Sequence, residues 1–172
     1  MPVLSLSDFH LVGLLETFPV QFLSAGCNVY ESFLTTPYRK LDDLCELIYV
    51  RQGRAEAWLG GKRYGAQPGC LIICLPGTPH KLRWQLPEES PTTFSVRFRC
   101  LFDADERLRM ILPPAAPILR TDEMQAQFAQ LFLAMIHEYD NQSANFQQIC
   151  DCLLDTLLLR VCRLRARAEN LV

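Results

Sequence analysis

Apolar and polar positions keep one rhythm over roughly the first hundred residues and another beyond residue 117. Residues 54–59 set Ala55, Ala57 and Leu59 against Arg54, Glu56 and Trp58, the two-residue period of a strand with one buried face. Gly60-Gly61 follows as a hairpin turn. Residues 44–50 are mostly apolar, with Glu46 the one acidic or basic residue, and the run closes at Gly53. Residues 70–75 form an unbroken apolar stretch between Gly69 and Pro76, which reads as a strand buried on both faces. Residues 81–86 and 92–101 supply further strands. Turn residues recurring at this short spacing predict a β-sandwich or barrel.

Punctuation then stops. All eight glycines lie at or before Gly77 and all eleven prolines at or before Pro117, so the remainder lacks both residues that break helices. Pro113-Pro114-Ala115-Ala116-Pro117 is the natural hinge, dividing a barrel over residues 1–117 from a helical segment over 118–172. Thr121 can cap a first helix, with Asp122 and Glu123 well placed in its first turn. Met124, Phe128, Leu131, Phe132 and Met135 recur there at helical spacing. Ser143 or Asn145 can cap a second helix carrying Phe146, Cys150, Leu153, Leu157, Val161 and Leu164 on one stripe. Leu154, Leu158 and Cys162 add a second stripe, wider than one contact needs. The simplest partner for that surplus is another copy of the chain: a two-fold homodimer with Leu154, Leu158 or Val161 near its axis.

Composition narrows the classes. A chain of 172 residues that is 49% apolar can bury a full core. A formal charge of −2 argues against a nucleic-acid-binding surface. The one basic cluster, Arg160, Arg163, Arg165 and Arg167, complements the dipole at a helix C-terminus. No apolar run approaches the ~18 residues of a membrane helix. Eight cysteines sit among hydrophobes, which fits buried thiols in a reducing cytoplasm better than disulfides. Cys150-Asp151-Cys152 is too tight for a zinc pair. Leu23-Ser24-Ala25-Gly26-Cys27 has the outline of a lipoprotein cleavage site, but Asp8 and Glu16 interrupt the apolar stretch before it. A strand entering a turn at Ala25-Gly26 is the simpler reading.

The most specific signal is an ordered series: Glu46, six residues, Gly53; then Gly60-Gly61-Lys62-Arg63-Tyr64; then Pro68-Gly69, six residues, and Pro76-Gly77-Thr78-Pro79-His80. Together with Phe94-Ser95-Val96-Arg97-Phe98, it resembles the N-terminal effector domain of AraC-family transcription regulators over residues 20–100. The resemblance implies a mainly β fold: a cupin-type double-stranded β-helix, or jelly-roll barrel, followed by two antiparallel α-helices that often dimerise. Metal-binding members of the cupin class use a His-x-His, a Glu and a second-motif His. Here Glu46 and His80 match the last two ligands, but the His-x-His falls on Lys40-Leu41-Asp42 or Arg39-Lys40-Leu41, without a histidine. A site needs at least three protein ligands, so no metal and no cofactor are expected.

The implied function is therefore sensing of a small-molecule effector and dimerisation for transcription control, as a fragment of a regulator or a stand-alone sensor, with DNA contacted only through a helix-turn-helix part absent from this chain. A metal-dependent cupin enzyme, such as an isomerase or dioxygenase, is the alternative from another class. A ligand-free dimerisation scaffold is the third reading. Strand alternation proposes the pocket: Glu46 and His80 inward with Ile48, Val50, Leu82 and Trp84, joined by Phe94, Val96 and Phe98 from the matched strand. The expected cavity is mostly apolar with Glu46 and His80 as its polar groups, and the apolar Val50 and Leu82 argue against a sugar.

Overall fold

The structure is a computed structural model, which describes residues 20–31, 35–85, 90–101, 112 and 116–169. Among the described residues, eight strands form two antiparallel sheets. The larger has the order β1 (Val20–Val29), β7 (Thr92–Cys100), β2 (Cys45–Gln52), β5 (Cys70–Cys74) and β8 (Ile118–Arg120). The smaller has the order β4 (Lys62–Ala66), β3 (Ala55–Leu59) and β6 (His80–Trp84). A 3₁₀ turn, Asp122–Met124, leads into α1 (Gln125–Asn141), and α2 (Phe146–Glu169) follows. This is the jelly-roll arrangement with two helices after it.

The turns follow from their residues. Gly60 and Gly61 have φ of +55° and +82°, which lets a two-residue loop join β3 to β4 with the twist both strands require. β5 is buried at every position because both its faces are covered, as its unbroken apolar run demands. One face of the large sheet looks into the barrel, where Ile48, Val50, Ala57, Ile72, Leu82 and Trp84 pack together. The other meets the helices, where Leu47, Tyr49 and Val96 pack with Phe128, Phe132 and Leu157.

Several expectations change at this level. Leu154, Leu158 and Val161 are all 0–1% exposed and belong to the chain's own core, so they cannot form a dimer surface. The wide apolar arc of α2 exists because that helix packs against both α1 and β1. Phe94, Val96 and Phe98 also lie in the helix-facing core rather than the barrel. The register explains this: Val96 stands opposite Leu47 and Phe94 opposite Tyr49, and antiparallel partners share a face. β1 does not turn at Ala25-Gly26 but runs through it, with a bulge between Phe22 and Ser24. β8 pairs with β5 and Pro117 O accepts from Ile73 N (2.8 Å), so residues 117–120 belong to the sheet. Pro113, Pro114 and Ala115 of the expected hinge, like Leu86, lie outside the described residues. Thr121 sits at the N-cap position of the 3₁₀ turn, but its side chain makes no capping bond: its hydroxyl donates to Gly69 O (2.8 Å), tying the helical segment to the start of β5.

Candidate functional site

Glu46 faces the barrel interior near the start of β2, opposite Arg97 of β7 on one side and Cys74 of β5 on the other. Its carboxylate accepts from His80 Nε2 at 3.1 Å and from Arg97 through Nη2 at 2.9 Å and Nε at 3.0 Å. His80 Nδ1 lies 3.2 Å from the Thr78 carbonyl, so the Pro76–Pro79 turn orients the ring. Glu46 and His80 are both buried, while Arg97 reaches solvent along part of its length. Burial pushes the Glu46 carboxyl up, but the His80 hydrogen bond and the Arg97 charge outweigh it and hold the group below its ordinary value. Burial, followed by the Glu46 charge, raises the thiol of Cys74. That thiol is a packed side chain, not a nucleophile.

Beside this pair the barrel opens into a cavity of about 450 Å³. Glu46, Ile48, His80 and Leu82 line it. Val50 and Trp84 are buried in the same barrel core but do not line the cavity. The cavity is also more polar than expected. From the large sheet come Ser95, Thr93 and Asn28, and from just after β1 comes Tyr30, with the Tyr30 and Thr93 hydroxyls 3.3 Å apart and Asn28 Nδ2 donating to Ser95 Oγ at 3.4 Å. Thr35, Thr36, Pro37 and Arg39 form the opposite rim. That rim is held against β6: Arg39 N donates to His80 O (2.9 Å), His80 N to Arg39 O (2.8 Å) and Thr36 N to Leu82 O (2.8 Å).

A signal for the missed wall was present. Thr93, Ser95 and Arg97 are the polar half of the β7 alternation, and a buried Glu46 needs a cation beside it. The rim of residues 35–39 has no comparable pattern, because it joins β6 through two isolated bridges and not a full strand. Among the described residues, no group of three or more His, Cys, Asp or Glu is arranged to hold a metal ion. Nor is any helix among them long and apolar enough to cross a membrane.

No curated protein matches the sequence. Among solved structures, the chain is similar to a protein from Thermotoga maritima described as a predicted oxalate decarboxylase, at 12% identity and a TM-score of 0.42, covering 46% of this chain and 68% of that one. It is similar to the cupin domain of Cnp3 from Schizosaccharomyces pombe at 14% identity and a TM-score of 0.41, covering 54% and 69%. KdgF from a Halomonas species matches at 17% identity and a TM-score of 0.40, covering 50% and 81%. Likenesses at these levels carry no argument about activity. The family match is stronger: the model of the AraC-like ligand binding domain fits residues 35–161, which takes in the cavity rim, the Glu46–His80 pair and most of both helices. The chain thus belongs to the AraC-like ligand binding domain family.

Proposed function

We propose that this chain is the effector-sensing and dimerisation part of an AraC-type transcription regulator, acting in the cytoplasm. A small molecule binds between the sheets, and a separate helix-turn-helix part of the regulator contacts DNA. The supporting observation is that a ligand-binding family match coincides with an open cavity whose inner end holds an oriented Glu46–His80 pair. Apolar walls and a few placed polar groups are the usual make-up of a small-molecule site. The reading is a binding module and not an enzyme: both Glu46 oxygens are already engaged, one by His80 and one by Arg97, which favours orienting a ligand over moving its protons.

A thermal-shift screen of small metabolites against the wild type and Ser95→Trp tests this, since an indole at Ser95 fills the cavity. A true effector raises the wild-type melting temperature and not that of the plugged variant; at a hundred times Kd the gain is about 2.7 kcal/mol. Equal shifts in both proteins, or none in either, count against the reading. The homodimer in this proposal uses the solvent face of the helix pair, where Leu133 of α1 and Ile149 of α2 are exposed. Sedimentation at micromolar concentration checks it: the wild type should be a dimer and Leu133→Glu with Ile149→Glu a folded monomer.

A further inference from the structure

We infer that the cavity is built for a small organic carboxylate with an apolar body, its anionic group held by Arg39. This rests on the reading of the cavity as an effector site. Arg39 and His80 form an antiparallel bridge, and side chains paired in this way leave the sheet on the same face. His80 points inward, buried against Glu46, so Arg39 leaves the backbone on the cavity side beside it. Its neighbour Tyr38 goes the other way, its ring centroid 5.7 Å from Lys81 Nζ on the outer surface.

Charge then selects the ligand. Glu46 is the one carboxylate among the described lining residues, and it is already bonded to His80 and Arg97. No carboxylate among the described residues pairs with Arg39, so its guanidinium is the uncompensated charge of the described lining. A cationic ligand is repelled, and a neutral one can accept hydrogen bonds from the guanidinium but forgoes the charge pairing. A planar carboxylate matches the two-pronged donor geometry of Arg. Ile48, Leu82 and Pro37 offer apolar surface for the rest of the molecule, in a volume suited to a small metabolite.

The test uses the whole chain with benzoate, phenylacetate and octanoate, their neutral amides, and glucose as a neutral polyol, followed by thermal shift and calorimetry at millimolar concentration. The acids are expected to bind and the amides not to. Arg39→Gln should weaken the acids by roughly tenfold or more. Arg39→Lys should keep part of the affinity, and neither change should alter the melting temperature without ligand. Amides or glucose binding as well as the acids would overturn the inference. So would unchanged acid affinity in Arg39→Gln, or no binding by any acid. If a neutral probe then loses its shift in Ser95→Trp, the effector reading survives and only the anionic preference falls. If no probe responds to Ser95→Trp, both fall.

Discussion

At Glu46 burial and charge pairing pull in opposite directions, and pairing prevails. The folded carboxyl, held by His80 and Arg97, titrates below the ordinary glutamate value of the unfolded chain. Its contribution to stability is therefore fully present above the unfolded value and is lost as pH falls through the folded value. Melting temperature should drop more steeply with acidification in the wild type than in Glu46→Gln over that window. Parallel curves would show that the pair is not ionised as drawn. At neutral pH the same substitution should cost about 3 kcal/mol, the low end for breaking a buried pair, because Arg97 can still reach water. Glu46 and His80 were legible in the sequence because glycine and proline turns fix their strands. Arg97 was not, since its partner lies 51 positions away and the neighbouring Phe94, Val96 and Phe98 give the more conspicuous pattern.

Strands and helices reveal which residues share a face, but not what that face meets. The β7 alternation was plain, yet two apolar cores flank the large sheet, and the aromatic set belongs to the one under the helices. For α2 the period was equally plain, and the surplus stripe went to an internal neighbour rather than an external one. Leu154→Ala or Leu158→Ala should each cost about 2–5 kcal/mol, as for other large-to-small changes in a closed core. Replacing both with Glu should unfold the chain, with loss of the cooperative melt by circular dichroism. Folded monomers from that double variant would reinstate these leucines as a dimer surface.

Across the whole molecule, the large sheet is a shared wall. On β7, Ser95 and Thr93 face the cavity, while Phe94 and Val96 between and beside them pack under the helices. Tyr49 of β2 stacks on Phe132 of α1 with ring centroids 5.7 Å apart, and its hydroxyl donates to Gln125 O at 3.2 Å. A ligand that steadies one side of this wall steadies the other through the same backbone. Hydrogen exchange on a ligand complex should show added protection in β7 and β2 and, beyond the contact residues, in α1 around Phe132. Protection confined to the cavity rim would show that the two cores open independently.

Among the described residues β1 ends the large sheet, and an edge strand normally offers its backbone to any extended segment that meets it. Here α2 reaches across the gap. Asp151 Oδ1 accepts from Phe22 N at 2.7 Å and Gln147 Nε2 donates to Phe22 O at 2.9 Å, beside the bulge that already disturbs the register. Two side chains on one helical turn thus occupy the outward backbone groups of Phe22, which an added strand would otherwise need, so the helix guards this part of the edge as well as covering the core. Asp151→Ala should lower stability by about 1–3 kcal/mol, the cost of orphaning a backbone donor. Its sharper mark should be light scattering and dye-binding β-aggregates on mild heating, under conditions where the wild type stays clear.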